Sequence, residues 1–390
     1  MTLKGHIYKR GATYTYVVDL GKDPITNKRR QKSKGGFRTK KEAQAALAEI
    51  LTEYHRGTYI NESEITLKEF VKKWLELYSS TGKVKISTIR VRVHETNNIL
   101  KYFKQVKLKD ITGTMYQDFL LYLNTKFAEN TLLGIHRTAR MIFKKAVELK
   151  YIKSDPTQYS VIPKKQKTVA ELESEEEIPK YFEKEELLEF LDTVKKLANP
   201  QYYTIFLTLA YTGMRIGELC ALKWKDIDFK DKEIKIYKTY YNPTNNTIKY
   251  TLLPPKTRTA KRNVSIDDTL IKELKKHKTR QNKLKLTSWH DEDFVFTKII
   301  NYPGYPETPK QIELKMAQIL KKSNIATLLT PHGLRHTHAS LLAQAGVRLQ
   351  EIMDRLGHQD DNITRNIYLH VTKDMKKEAL QKFSKLMQNL

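Results

Sequence analysis

The sequence predicts a multidomain chain: a small α+β N-terminal module of three strands and a helix, an all-α middle domain, and a mainly α C-terminal domain with a small antiparallel β-sheet. Three observations predict it. Residues 7–33 carry short strand-like runs separated by turn residues, and the pattern changes to a helical period after Thr39. Residues 65–162 are helical in pattern throughout, bounded by Pro156 and Pro163. From 180 onward the helical pattern is interrupted by strand-like runs around the hairpin signal Pro243-Thr244-Asn245-Asn246. The boundaries read as 1–62, 63–165, a linker over 166–179, and 180–390. A length of 390 residues allows each of two or three domains its own core.

In the first module, Ile7-Tyr8-Lys9-Arg10 and Tyr14–Leu20 read as strands around Gly11-Ala12, with turn chemistry at Asp23-Pro24 and Thr26-Asn27. Arg29-Arg30-Gln31-Lys32-Ser33 reads as a third, very basic strand, and a helix signal follows Gly35-Gly36. Thr39 then caps a helix with Glu42 three residues on, and Ala43, Ala46, Leu47 and Ile50 form its apolar face. In the middle domain, Thr66-Leu67-Lys68-Glu69 is a capping box followed by the apolar positions Phe70, Trp74 and Leu77. Ser87 is read as the cap of a second helix running to about Phe103. Two more follow over 112–127 and 129–150, the last with Leu133, Ile135, Ala139, Ile142, Phe143, Ala146 and Val147 inward. The polar faces carry Lys83, Lys85, Arg90, Arg92, Arg137, Arg140, Lys144 and Lys145.

The linker, Lys164-Lys165-Gln166-Lys167 and then Glu171, Glu173 and Glu175 to Glu177, has no periodicity and reads as exposed. In the C-terminal domain, helices near 183–197, 201–211 and 216–222 lead into strands over Lys232–Tyr241 and Thr247–Leu253 and a third near 262–266. Helices then return from about 267 to the end. Lys373–Leu390 carries an apolar stripe, Met375, Ala379, Phe383, Leu386 and Leu390, suited to intrachain packing or to docking on a second protomer.

The chain has 71 Lys+Arg against 44 Asp+Glu, a net charge of +27. Such a charge repels itself in a compact state and implies an anionic partner, nucleic acid first and an anionic membrane surface second. The first 60 residues alone carry a net +8, a basic patch of the kind that grips nucleic acid. The charge is spread over folded blocks, not along one amphipathic basic helix, which argues against the membrane. No apolar run approaches the roughly 18 residues of a spanning helix. The N-terminus lacks an apolar h-region, so no secretory signal is expected. Cys220 is the only cysteine, which excludes intrachain disulfides and multi-cysteine zinc sites and fits a reducing cytosol.

Several polar residues stand in settings that packing does not require. Thr212-Gly213-Met214-Arg215 places an arginine just past an apolar helix, with Glu218 on the same face as an ion-pair partner. Pro255-Lys256-Thr257-Arg258-Thr259-Ala260-Lys261-Arg262 is a cationic tip between strands. His332 and Arg335, at i and i+3, share a helix face. Leu356-Gly357-His358 follows a helical turn, and Tyr368 lies ten residues beyond His358. His332 and His336 have zinc spacing, but no H-E-x-x-H motif or cysteine partner accompanies them, so no metal is expected.

In chain order, Arg215, Lys256, His332-x-x-Arg335, His358 and Tyr368 resemble the active-site set of the tyrosine recombinase (phage integrase) family. The resemblance covers the whole C-terminal domain. The middle domain looks like the family's core-binding domain, and residues 1–62 look like the arm-binding domain of integrases from temperate phages and conjugative transposons. Each motif is short, but six in order ending in tyrosine are specific. The long stretch between Arg215 and Lys256 departs from the family pattern. It leaves Lys256 and Lys261 as alternatives for the active lysine, Lys256 lying where the family's lysine lies.

The resemblance implies an integrase that cuts and rejoins DNA to integrate and excise a mobile element. Tyr368 would attack a backbone phosphate, form a 3′-phosphotyrosine and release a 5′-hydroxyl; the hydroxyl of a second DNA reverses the step. A tyrosine of ordinary pKa, about 10, is protonated at neutral pH and its anion is repelled by phosphate. The site therefore needs cations, a proton acceptor and a proton donor. Arg215 and Arg335 suit the first role, His332 proton transfer, His358 a phosphate hydrogen bond, and Lys256 protonation of the 5′-oxygen. Preorganised charge of this kind supplies roughly 3–4 kcal/mol per donor.

The implied partners are double-stranded DNA at core and arm attachment sites and three further protomers in a homotetramer on DNA. An excisionase and a host DNA-bending protein are the implied accessory partners. No cofactor, metal or ATP is implied, and the implied place is the bacterial cytosol. A resolvase-type recombinase is the same-chemistry alternative, against which the basic first module argues. A type IB topoisomerase would share the phosphotyrosine but relax plasmids without two sites. A non-catalytic DNA-binding regulator would not need all six residue types.

Overall fold

The computed structural model describes residues 5–22, 27, 29–55, 64–82, 84–164, 180–255, 259–285, 289–290, 292–357 and 362–372, with Ser384 and Met387. The chain divides into two compact units, 1–166 and 167–390. Among the described residues no helix is long and apolar enough to cross a membrane.

The first unit opens with an antiparallel sheet in the order β1 (Gly5–Arg10), β2 (Thr13–Lys22), β3 (Arg29–Phe37). Gly11 turns β1 into β2 at φ +61°, a conformation glycine adopts without strain. Tyr16, Val18 and Leu20 of β2 alternate onto one face and pack with Leu47 of the helix Lys40–His55. β3 runs on through Gly35-Gly36 to Phe37, farther than the sequence pattern predicts. A register shift between Tyr14 and Tyr16 accommodates the glycines, and a Cβ on Gly35 would lie 2.7 Å from Thr15 Oγ1. Arg29, Arg30 and Lys34 are exposed on this strand. Thr39 accepts from Glu42 N–H at 3.2 Å, while the Glu42 carboxylate turns back to Arg38 N–H at 3.0 Å. The Asp23-Pro24 turn lies outside the described residues.

The helices Leu67–Ser80, Ile86–Phe103, Gly113–Lys126 and Glu129–Glu148 enclose a second core that includes Phe70, Trp74, Phe103, Phe119, Ile135 and Phe143. The Thr66 capping box forms both bonds, Glu69 N–H to Thr66 Oγ1 (3.2 Å) and Thr66 N–H to Glu69 Oε2 (2.8 Å). Two expectations are corrected here. Leu77 is 47% exposed, and Tyr78 takes its inward place, its ring stacked on Trp74. Ser87 caps nothing: the helix has already begun at Ile86, with Lys85 before it and no side-chain cap. Arg90, Arg137, Arg140 and Lys144 are exposed. Arg92 is instead a tie between two helices, its Nη1 donating to Glu95 Oε2 and Thr138 Oγ1 at 2.7 Å each. Lys83 lies outside the described residues.

The second unit begins with the helices Lys184–Leu197, Pro200–Thr212 and Ile216–Cys220. Its described residues form two small antiparallel sheets where one was expected. β4 (Ile227–Asp228), β5 (Glu233–Ile236) and β8 (Arg262–Ser265) form one, in the order β4-β5-β8, and β6 (Thr239–Tyr241) pairs with β7 (Thr251–Leu253) in the other. The strand expected over Lys232–Tyr241 is thus split at Tyr237-Lys238. Both residues turn to the buried Asp226 carboxylate, Tyr237 Oη at 2.9 Å and Lys238 Nζ beside it. A buried carboxylate needs such partners, and meeting that need takes two residues out of the ladder. β7 starts at Thr251 and not Thr247, because Asn246 Oδ1 accepts from the Ile248 and Lys249 amides in a local turn.

Helices resume at Asp268–Leu284, Pro309–Leu320, Gly333–Gln344, Leu349–Leu356 and 362–372. Between the first two, the described residues are irregular, with His290 stacked on Tyr305 at 3.9 Å. The linker 166–179 and the apolar stripe within Lys373–Leu390 lie outside the described residues.

Candidate active site

The turn after Pro200–Thr212 comes first. Gly213 sits at φ +60° and its N–H donates to Leu209 O at 2.9 Å. A Cβ there would lie 2.6 Å from Leu356 Cδ2 and 2.7 Å from His338 Cδ2. Only glycine lets the chain reverse this close to two buried side chains. Two residues on, Arg215 precedes Ile216–Cys220. Its backbone N–H donates to Glu218 Oε2 at 2.9 Å and its Nη1 to Oε1 at 3.1 Å. The Arg215 side chain remains 38% exposed while that of Glu218 is 6% exposed.

Glu218 serves a second arginine. Arg262 of β8 donates Nη2 to Oε2 at 2.9 Å and Nη1 to Oε1 at 3.3 Å, the fork geometry that guanidinium and carboxylate share. Burial pushes the Glu218 carboxyl up. The hydrogen bonds and charge of Arg262, joined by Arg215, outweigh burial and hold it below the ordinary carboxylate value. Arg262 also donates Nε to Arg355 O at 2.8 Å.

Arg335 is 2% exposed. Its Nη1 donates to Gly213 O and its Nη2 to Leu356 O, both at 2.6 Å. One guanidinium thereby joins the turn that leads to Arg215, the helix that His332 opens, and the end of Leu349–Leu356, two residues before His358. His332 is exposed at its helix start, and its ring meets the edge of His336 at 4.9 Å between centroids. His338 points elsewhere: Nδ1 bonds Ala210 O at 2.7 Å and Nε2 accepts from Arg355 Nε at 3.0 Å. Burial first, then the Arg355 charge, lowers its pKa to about 3, so the ring is neutral at pH 7. Among the described residues no three His, Cys, Asp or Glu side chains are grouped as for a metal ion.

Tyr368 is half-buried on the helix 362–372. It packs on the cluster of Ala339, Ala343, Ile352, Leu356, Ile367 and Val371, of which two residues belong to the helix of Arg335 and one is the residue whose carbonyl Arg335 holds. The fold thus brings Arg215, Arg335 and the helix start at His332 around one turn, with Tyr368 on the adjoining apolar cluster. Lys256 and His358 lie outside the described residues. Lys261 is exposed, between buried Ala260 and buried Arg262.

Sequence reasoning missed Arg262, Arg355 and His338 as partners of this set. Arg262 had left a signal: it alternates with Val264 and Ile266 on the inward face of its strand. Arg215 and Arg262 share the Glu218 carboxylate, while Arg335 and Arg355 donate to backbone carbonyls of the same turn and its neighbours. Held in place by the fold, such an excess of positive charge is suited to an anion such as a phosphodiester.

The profile described as "Phage integrase family" matches residues 180–375, "Arm DNA-binding domain" matches 6–54, and "Phage integrase, N-terminal SAM-like domain" matches 66–124. The chain belongs to the phage integrase family, the tyrosine recombinases. It is 32% identical to the integrase of Staphylococcus phage L54a, over 83% of this chain and 94% of that one. It is 27% identical to the ICEBs1 integrase of Bacillus subtilis, over 96% and 97% of the two chains. Among solved structures, the Tn1549 transposon integrase in complex with transposon right end DNA shares the fold at a TM-score of 0.63 and 21% identity, over 82% of this chain and 99% of that one. A lambda integrase tetramer bound to a Holliday junction does so at 0.58 and 17%, over 93% and 94%.

Proposed function

We propose that the chain is a site-specific DNA integrase that inserts and excises a mobile element through a covalent phosphotyrosine. The observation that carries the reading is the buried Arg335 guanidinium, bonded at once to Gly213 O and Leu356 O. It ties the turn before Arg215 and the end of the helix Leu349–Leu356 to the helix that carries Arg335 itself, which supports a shared role for the proposed site residues. In the proposed step the Tyr368 phenol oxygen bonds to phosphorus and the P–O5′ bond breaks. His332 takes the phenol proton, and Lys256 gives a proton to the departing 5′-oxygen. Arg215 and Arg335 hold the non-bridging oxygens, and His358 adds a hydrogen bond to them.

The domains are assigned accordingly. Residues 1–62 grip arm-type DNA, 63–165 grip core-type DNA, 166–179 link them to the catalytic domain, and 180–390 carry the chemistry. Four protomers assemble on paired double-stranded core sites in the bacterial cytosol, with an excisionase and a host DNA-bending protein setting direction. Tethering the two grips makes the second binding event intramolecular, so two weak contacts act together.

The test is Tyr368→Phe on labelled duplexes tiled across the DNA that flanks the gene. Wild type is expected to leave a covalent protein–DNA band on a denaturing gel. The variant should retain its band shift on native gels and form no covalent band. A covalent band with the variant would remove Tyr368 from its role.

A further inference from the structure

We propose that Arg355 and His338 are positioning residues for strand cleavage: they clasp the end of the Leu349–Leu356 helix, with Gly357 after it, against the turn that carries Arg215. The inference rests on the recombinase reading and adds two residues that touch no substrate in it.

The last carbonyls of a helix have no partners within it. Here two of them are taken by guanidiniums from elsewhere, Arg355 O by Arg262 Nε at 2.8 Å and Leu356 O by Arg335 Nη2 at 2.6 Å. Both of those arginines also hold the Arg215 turn, one through Glu218 and the other through Gly213 O. These bonds fix the backbone of the helix end at two adjacent carbonyls and leave rotation about that point. The Arg355 side chain supplies the remaining ties. Its Nη2 donates to Tyr211 O at 3.1 Å and to Ser265 O at 2.9 Å, and its Nε to His338 Nε2 at 3.0 Å.

The imidazole can accept that bond because its other nitrogen is engaged with Ala210 O at 2.7 Å. With the proton on Nδ1, the Nε2 lone pair faces Arg355. The clasp therefore joins helix Pro200–Thr212, β8, helix Gly333–Gln344 and the end of helix Leu349–Leu356. Gly357, at φ +72°, sits inside it; a Cβ there would lie 3.1 Å from Thr259 O and from Arg262 Cδ. Leu356, which Arg335 holds by its carbonyl, also packs in the cluster that carries Tyr368. A small rotation at this point displaces Gly357 and the apolar support of Tyr368.

Two nearly isosteric variants of the full chain separate orientation from folding. His338→Asn keeps an N–H near the place of Nδ1 and deletes the acceptor for Arg355. His338→Gln puts an oxygen near the place of Nε2 and keeps that acceptor. On the tiled duplexes, His338→Asn and Arg355→Lys should lower the single-turnover rate of covalent adduct formation about 10- to 100-fold, with DNA affinity within about twofold of wild type. His338→Gln should recover to within about threefold of wild type. Equal slowing by Asn and Gln, or slowing that only follows each variant's thermal midpoint, would reduce both residues to structural ones and end the proposal. Wild-type adduct with undiminished variant rates rejects the clasp alone. Absence of wild-type adduct on every duplex rejects the recombinase reading, and the clasp with it.

Discussion

Glu218 is the carboxylate that both Arg215 and Arg262 bind, and its neutralisation has a definite expected cost. Glu218→Gln leaves Arg262 buried without a counter-charge, a change that destabilises by about 3–5 kcal/mol where a buried pair is broken. Urea unfolding of the variant checks this, and a midpoint equal to wild type would contradict it. The carboxyl is held below its ordinary value of 4.5, so its contribution is complete above that pH and is lost as pH falls further. The buried histidines act over a higher window. His277 is lowered from 6.5 to about 4, chiefly by burial, and His338 to about 3. Below 6.5 the unfolded chain takes up protons that the fold refuses, so stability is complete above that pH and falls as pH drops toward 4 and 3. His277→Gln should shrink the difference in unfolding free energy between pH 7 and pH 5 by about 2 kcal/mol. An unchanged difference would show that His277 does not titrate this way. Arg215, His332 and Arg335 were legible as a set in the sequence because their short motifs, in chain order, resemble those of the family. Their partners Arg262, Arg355 and His338 were not.

At the level of elements, the positive-φ glycines give a matched comparison. Gly346 has φ +80° with nothing within 4 Å of an added Cβ, whereas Gly213 has φ +60° with Leu356 and His338 under 3 Å away. Gly346→Ala should cost about 1–2 kcal/mol, the backbone strain alone. Gly213→Ala should cost a further roughly 1–3 kcal/mol for overpacking and lower the rate of covalent capture, because the displaced atoms belong to the clasp. Equal losses for the two variants would show that the Gly213 turn has room to relax. Most helices could be read from periodicity and caps, as with Thr66 and Glu69, because both signals lie within one turn. The errors arose where a long-range partner overrode local pattern. Asp226 divides the Lys232–Tyr241 strand by drawing in Tyr237 and Lys238, and the ring of Trp74 draws Tyr78 inward in place of Leu77.

For the whole molecule, the net charge of +27 has separate uses in the proposed function. Exposed arginines and lysines of the first unit, Arg29, Arg30, Arg137 and Arg140 among them, are assigned to DNA backbones, and Arg215 and Arg335 of the second to one phosphate. If six to ten phosphates are neutralised, affinity should fall roughly 10³–10⁵-fold between about 50 and 200 mM salt; a flat salt response would refute the assignment. Deleting 1–62 should weaken recombination on full attachment sites and spare covalent capture on short core duplexes. Equal loss on both substrates would show that the module is needed for the catalytic fold and not for a second grip on DNA.

The sequence by itself determined the three-part order, the helical middle domain, the family and the ordered polar set ending in Tyr368, because periodicity, caps and short motifs are properties of neighbouring residues. Tertiary structure decided which of those residues meet and in what state. Glu218 binds an arginine 44 positions away, Arg335 spans Gly213 and Leu356, and His338 is neutral because it is buried between Ala210 O and a cation. Burial and the identity of a distant partner arise only when remote segments pack, and no local pattern encodes them.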